Sequence, residues 1–149
     1  MLIKLKNRQI TDLVLPRVTT IGDRFLYYNR ALVSFAAAKV ETIGNHFLKY
    51  NMSLLSFSAP TLKTVGDDFL MSNEVLTIFV APVLQTVDRY FLLENKSLVE
   101  LSLPKLKAVG SFFMYSNTTL TSFFAPKLKT NKRRFLPSNY NIDKSLYAN

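Results

Sequence analysis

The sequence predicts an α/β solenoid, a fold in which consecutive repeat units stack as coils around one apolar core. Asparagine and phenylalanine each recur at a constant step of 22 residues. A period of this length is typical of solenoids, because one unit cannot bury its apolar face alone and must stack on its neighbours. The two series are Asn7, Asn29, Asn51, Asn73, Asn95, Asn117 and Asn139, and Phe25, Phe47, Phe69, Phe91, Phe113 and Phe135. We therefore expect residues 1–149 to form a single domain of about six units.

The first element of each unit is a β-strand that ends at a proline. In residues 54–60, Phe57 and Ala59 alternate with Ser56 and Ser58. Alternation with a period of two places the apolar side chains on one side of a strand and the hydroxyl groups on the other. Pro60 cannot donate a hydrogen bond to a continuing ladder, so it ends the strand.

The second part of each unit contains a turn, a short extended segment and a helical turn. Glycine follows Ile or Val in most units, and we expect these glycines to adopt positive φ. Asp88 takes the place of glycine once, and aspartate tolerates the left-handed region. Asp67 and Asp68 precede the apolar pair Phe69–Leu70, which favours one helical or 3₁₀ turn on the outer side of the coil.

The recurring polar and aromatic positions are expected to be structural. A buried amide can satisfy backbone N–H and C=O groups where the coil turns inward, so we expect Asn51, Asn73, Asn95 and Asn117 to be buried and bonded to backbone. The phenylalanines recur in the same phase as the glycine turns. They are expected to stack as core and not to bind a ligand.

The order of these residues resembles the repeat of the BspA-type branch of the leucine-rich-repeat family. The unit ends a strand in an apolar residue and proline, continues through an Ile-Gly or Val-Gly turn and an aromatic, and returns to Leu-x-x-apolar. The resemblance extends from about Ile3 to Ile142. The unit is one residue shorter than usual, between the proline and the turn, and asparagine stands where the family often has cysteine.

The resemblance implies a leucine-rich-repeat domain that coils right-handedly. Its parallel β-sheet would lie on the concave side, and short helical or 3₁₀ turns would lie on the outer side. It also implies a binding or adhesion scaffold of the kind found in microbial surface or host-directed proteins.

Positions that break the repeat are the candidates for function. Small hydroxyl groups occupy many outward positions of the strands, whereas Ile78, Val80 and Phe124 are apolar where solvent is expected. Leu55 precedes a strand, and Glu100 is a charged residue on the same side. We expect these five residues to contact a protein ligand on the concave sheet. Exposed apolar residues that are merely scattered are the competing interpretation.

A second candidate site is basic, in keeping with a formal charge of +9. The cations concentrate in the last coil and in one column of the preceding coil. They are Lys107, Lys127, Lys129, Lys132, Arg133 and Arg134. Such a stripe fits nucleic acid, an anionic membrane or an acidic protein at the C-terminal end. A solvated surface that keeps this end soluble is the competing interpretation.

The sequence contains few of the residue patterns that are typical of catalytic sites. The chain has no cysteine and a single histidine, His46, at a variable position of the unit. The four glycines belong to four separate coils, so no glycine-rich phosphate loop is formed. Carboxylates and histidine show no spacing typical of metal ligands. We expect no enzymatic activity, no cofactor and no metal.

The ends and the compartment give further expectations. Residues 127–149 depart from the repeat and are predicted to form a degenerate capping unit. The chain enters the repeat in mid-unit, which predicts either a piece of a longer protein or weak homodimerisation through an uncapped end. No transmembrane stretch and no signal peptide are visible. This is compatible with a cytoplasmic protein and also with a protein that is exported without a visible signal peptide.

Overall fold

A computed structural model describes residues 10–129 of the 149 residues. These residues form a parallel β-solenoid of about five turns, with eleven short strands in the described range. In chain order the strands are β1 (Asp12–Val14), β2 (Thr20–Ile21), β3 (Ser34–Ala36), β4 (Thr42–Ile43), β5 (Ser56–Ser58), β6 (Thr64–Val65), β7 (Ile78–Val80), β8 (Thr86–Val87), β9 (Glu100–Ser102), β10 (Ala108–Val109) and β11 (Ser122–Phe124).

Each coil contributes one strand to each of two ladders. The three-residue strands β1, β3, β5, β7, β9 and β11 form one side, which we call the long-strand face. The two-residue strands β2, β4, β6, β8 and β10 form the short-strand face, a continuous five-stranded parallel sheet. Partners across both ladders are 22 residues apart, as in Phe35 with Phe57 and Ile43 with Val65. The predicted register of the repeat is therefore confirmed.

The strand prediction is confirmed as well. In β5 the side chain of Phe57 is buried between the two partly exposed serines, as the alternation predicts. After the strand, the N–H of Leu62 donates to the carbonyl of Ala59 at 3.1 Å, which closes the turn around Pro60. The chain thereby changes direction once per coil and enters the second strand.

The third side of the coil contradicts the predicted helical turn, and with it the α/β class. No helix or 3₁₀ segment is present within residues 10–129. We call this side the turn face. It comprises residues 23–28, 45–50, 67–72, 89–94 and 111–116.

On the turn face every second residue has positive φ, for example His46 at 55°, Leu48 at 48° and Tyr50 at 61°. Because left-handed and right-handed backbone conformations alternate, helical hydrogen bonds cannot form, since they require consecutive right-handed residues. The N–H groups instead bond to adjacent coils, as from Leu48 to the carbonyl of Phe25 at 3.0 Å. Bonds between coils thus replace the expected bonds within a helical turn.

The glycines adopt a different role from the predicted one. None of the described glycines has positive φ, and neither does Asp88. A Cβ at Gly110 would lie 2.6 Å from the backbone nitrogen of Arg89 and 2.6 Å from the carbonyl carbon of Asp88. Glycine is needed here because the preceding coil approaches closely, not because of its own dihedral angle.

The phenylalanines form two parallel files along the solenoid axis, and the predicted stacking of Phe47, Phe69 and Phe91 in one file is confirmed. Ring centroids are 5.3 Å apart between Phe47 and Phe69 and 5.6 Å apart between Phe69 and Phe91, with nearly parallel planes. Phe57 belongs to the second file and meets Phe69 edge-on at 5.4 Å. The core therefore continues from coil to coil.

The asparagines form a third file, and their predicted burial is confirmed. The Nδ2 of Asn73 donates to the carbonyl of Leu48 at 2.9 Å, and Asn51, Asn95 and Asn117 repeat this bond to the preceding coil. Their Oδ1 atoms have no hydrogen-bond partner. Only the donor half of each amide is used, so the expectation that it would also accept a backbone hydrogen bond is wrong.

Several predictions concern residues outside the described range. The capping unit 127–149 lies there except for its first three residues, and so do Lys132, Arg133 and Arg134. The N-terminal residues Ile3 and Asn7 lie outside as well.

Candidate binding face

The long-strand face carries an unusual share of exposed apolar side chains. Of the twelve large apolar residues that are exposed within the described range, six lie in its strands or directly before them. They are Val14, Leu55, Ile78, Val80, Val99 and Phe124. Of the other six, Tyr27, Tyr28, Phe112 and Tyr115 lie in the turns 23–28 and 111–116, and Met52 and Val75 lie between these turns and the long strands.

The strand geometry explains why the predicted apolar residues point outward. Phe79 faces the core in the middle of β7, so its neighbours Ile78 and Val80 face solvent, with 56% and 41% of their surface exposed. Phe124 lies outward in β11 and is 46% exposed. Leu55, directly before β5, is also exposed. Four predicted contact residues therefore share one face.

The ladder of the long-strand face is interrupted between β7 and β9. Strands β1, β3, β5 and β7 form one sheet, and β9 pairs only with β11. In the other coil pairs the residue before the strand donates to the preceding coil, as from Thr77 to Leu55 at 3.0 Å and from Thr121 to Val99 at 2.8 Å. No such bond joins Val99 to Thr77 in the described backbone. We call this interruption the seam.

The seam coincides with a change of side-chain size in the core. Leu101 occupies the position that Phe57, Phe79 and Phe123 hold in other coils, and Leu103 occupies the alanine position. Both leucines are buried. The first described coil has the same pair, Leu13 and Leu15, and its strand β1 pairs with β3, so two leucines at these positions are compatible with a continuous ladder.

The seam is confined to one side of the solenoid. On the short-strand face Lys107 donates to the carbonyl of Gln85 at 2.8 Å, and on the turn face Met114 donates to Phe91 at 2.8 Å. Phe79 is only partly buried, whereas Phe57 is fully buried. Sequence analysis missed the seam, because the two leucines of this coil also occur in the first described coil, where the ladder is continuous.

Glu100 is the fifth predicted contact residue and also lies exposed on this face, in β9. Asp12 is the other carboxylate in the outward positions of the long strands. The hydroxyl of Ser34 donates to Asp12, and so does that of Thr11 at 3.0 Å, and these bonds lower the pKa of the Asp12 carboxyl. The face thus combines apolar side chains with two separated negative charges.

Basic side chains line the turn that follows the long strands. We call Arg17, Lys39, Lys105 and Lys127 the basic corner. They recur at the same position of the coil, are exposed, and form no ion pair with any described residue. Thr61 and Val83 occupy this position in the two central coils. The basic corner therefore flanks the two ends of the apolar face.

The predicted anion-binding residues are only partly described. Lys107 donates to the Oε1 of Gln85 at 3.3 Å, and Lys129 lies exposed without an ion pair to any described residue. Together with Lys105 and Lys127, they place four cations in two adjacent coils.

The turn face carries an ionic cluster and two aromatic stacks that the sequence did not predict. The stacks join Tyr28 with Tyr50 and Tyr90 with Phe112, with ring centroids 4.7 Å and 5.1 Å apart. The carboxylate of Asp68 lies 2.8 Å from both the Nδ1 of His46 and the Nζ of Lys49. Partial burial lowers the pKa of Lys49, but Asp68 outweighs it and leaves this pKa raised. Within residues 10–129 no three His, Asp or Glu side chains are grouped so that they could hold a metal ion.

No family model, no curated protein and no solved structure matches this chain. Among the described residues no helix has the length and apolarity needed to span a bilayer.

Proposed function

We propose that this chain is a non-enzymatic protein-binding module that presents its long-strand face to a protein ligand. The observation that supports this function most strongly is the concentration of exposed apolar side chains on that face. Contiguous apolar surface rimmed by polar residues is typical of protein interaction sites. The inward side chains of the same strands are already buried in the core, so the outward ones remain for recognition.

The repeat supports a more specific version of this proposal. A solenoid with 22-residue turns, an asparagine file and a phenylalanine file is compatible with a BspA-type leucine-rich-repeat scaffold. By that resemblance the ligand would be a host or surface protein and the module would serve microbial adhesion or host interaction.

The binding face is tested with the double variant Ile78→Asp/Phe124→Asp, which places two charges on the apolar surface. Proteins from host and cellular extracts are cross-linked to the wild-type chain and the contact sites are mapped by mass spectrometry. We expect cross-links on the long-strand face and their loss in the double variant, because burying an unpaired carboxylate opposes binding.

Met52→Asp is the matched control, since Met52 is similarly exposed but is not part of the long-strand face. It should leave binding unchanged, and all variants should keep the circular dichroism spectrum and melting temperature of the wild type. Equal cross-linking by wild type and double variant would contradict a ligand on this face.

An electrostatic function is the second candidate, supported by the four cations in the last two described coils. In that case nucleic acid or anionic membrane would bind at the C-terminal end. Binding would then fall steeply with salt and vanish when Lys132, Arg133 and Arg134 are neutralised. A ligand held on the apolar face would keep most of its affinity under both conditions.

A further inference from the structure

We propose that the ligand of the long-strand face is an acidic polypeptide segment with apolar anchors. Its apolar side chains would contact Ile78, Val80 and Phe124, and its carboxylates would pair with the basic corner. This inference rests on the proposed function, and it specifies the chemistry of the partner.

The geometry of the coil places the basic corner beside the apolar face. Lys127 follows the outward residue Phe124 by three positions, and Lys105 follows Ser102 by the same interval. The turn that carries each lysine is closed by a backbone hydrogen bond of 3.1 Å, from Leu128 to Ala125 and from Leu106 to Leu103. The two lysines therefore repeat at the spacing of neighbouring strands, about 4.8 Å at the backbone.

The basic corner has no carboxylate partner among the described residues. In other columns of the solenoid Lys63 pairs with Glu41, Arg89 with Asp67 and Lys96 with Glu74 of the preceding coil. At the corner the equivalent positions of adjacent coils hold two cations, Arg17 and Lys39 at one end and Lys105 and Lys127 at the other. Like charges in adjacent coils repel, and a bound anion would relieve that repulsion.

Two observations favour a polypeptide over a phosphate-rich partner. Ile78, Val80 and Phe124 leave apolar surface exposed on this face, which apolar peptide side chains can cover and a phosphate backbone cannot. The seam also leaves backbone groups of β7 and β9 without the ladder partners that other strands have. A peptide backbone carries N–H and C=O groups that match them, whereas a lipid surface offers no comparable array.

The direct test measures fluorescence anisotropy with a labelled synthetic peptide of about twelve residues that alternates Leu and Glu. A peptide of glutamate alone, one that alternates Leu and Lys, a single-stranded oligonucleotide and vesicles of phosphatidylserine and phosphatidylcholine serve as competitors. We expect the Leu/Glu peptide to bind most tightly. Lys105→Gln/Lys127→Gln should weaken it about tenfold, because two charge-assisted contacts are lost.

The matched control is Lys63→Gln/Lys96→Gln, which removes the same net charge from lysines already paired with Glu41 and Glu74. Its affinity should stay close to that of the wild type. Equal weakening by both double variants would overturn the inference, since net charge alone would then explain binding. Preferred binding of the oligonucleotide or the vesicles would also overturn it.

The apolar variant separates this inference from the proposed function. If Ile78→Asp/Phe124→Asp abolishes binding of the Leu/Glu peptide while Lys105→Gln/Lys127→Gln leaves it unchanged, the face binds ligands but the acidic chemistry is wrong. If only the lysine variant loses binding, the apolar face is not the site and the proposed function fails. A wild-type chain that binds none of the peptides would overturn the acidic partner.

Discussion

At the scale of single residues, the buried asparagines connect neighbouring coils through their side chains. Asn73 is fully buried, and its Nδ2 reaches the carbonyl of Leu48 in the preceding coil at 2.9 Å and that of Met71 at 3.3 Å. The carbonyl of Met71 also accepts a hydrogen bond from the N–H of Tyr50 at 2.9 Å, whereas that of Leu48 has no other donor in the described backbone. The amide thus satisfies one buried carbonyl that an apolar side chain of similar size would leave unpaired.

We predict that Asn73→Leu lowers the free energy of unfolding by about 1–3 kcal/mol, the cost of a buried carbonyl group without a donor. Chemical denaturation followed by circular dichroism measures the change. The exposed residue Thr118 provides a control, and Thr118→Leu should stay within about 0.5 kcal/mol of the wild type. An Asn73→Leu variant as stable as the control would show that the asparagine file carries no stabilising bonds.

The alternating positive φ angles of the turn face are a second residue-scale feature. Arg24 is exposed and has a φ of 57°, while its N–H donates to the carbonyl of Asn45 at 2.7 Å. A side chain with a Cβ is disfavoured in this region by about 1–2 kcal/mol, whereas glycine is not. The bond to the next coil holds the residue there.

We predict that Arg24→Gly is more stable than Arg24→Ala by about 1 kcal/mol, because only glycine avoids the cost of the left-handed region. Thermal unfolding of the two variants measures the difference. At the exposed Lys105, which has no positive φ, the order should reverse and alanine should be the more stable substitution. The same order at both positions would contradict the described backbone of the turn face.

At the scale of elements, the seam shows how one coil departs from an otherwise regular ladder. Leu101 and Leu103 replace the usual Phe and Ala in this coil, as Leu13 and Leu15 do in the first described coil without an interruption. The coils of β7 and β9 remain bonded on their other two sides, so the interruption affects only these two strands. Ile78 and Val80 on one side and Val99 on the other border this interruption.

We predict that the seam leaves the amide of Val99 open to exchange with solvent. The backbone N–H of Val99 should exchange faster than that of Thr121, which donates to the carbonyl of Val99 at 2.8 Å. Hydrogen exchange followed by NMR compares the two amides. Equal protection of both amides in the wild-type chain would show that β7 and β9 are paired.

The elements also show where sequence reasoning succeeded and where it failed. Strand β5 could be predicted because Phe57 and Ala59 alternate with serines, and side-chain alternation follows directly from backbone geometry. The turn face could not be predicted, because two acidic residues before an apolar pair, such as Asp67 and Asp68, are also typical of the start of a helix. The observed backbone conformation depends on hydrogen bonds to adjacent coils, and the sequence of a single unit does not reveal these bonds.

At the scale of the whole molecule, the regular period made the core predictable. Phe47, Phe69 and Phe91 repeat without insertion, so any structure that stacks one must stack all three. The exposed face was predictable in part, since Ile78, Val80 and Phe124 replace the small residues of other coils. The basic corner was not recognised, because its lack of ion pairs depends on which columns lie together in space.

The central claim is that each 22-residue unit advances the chain by one coil along a single axis. Distances between spin labels test it directly, and the absence of native cysteine allows clean labelling through introduced cysteines. The pairs Arg17→Cys/Lys105→Cys and Lys39→Cys/Lys127→Cys both span 88 residues, and Arg17→Cys/Lys127→Cys spans 110 residues.

The two 88-residue pairs should give nearly the same distance, and the 110-residue pair should be longer by about 5 Å, the spacing of one coil. Two different distances for the 88-residue pairs, or no increase for the 110-residue pair, would show that the repeats do not stack as coils.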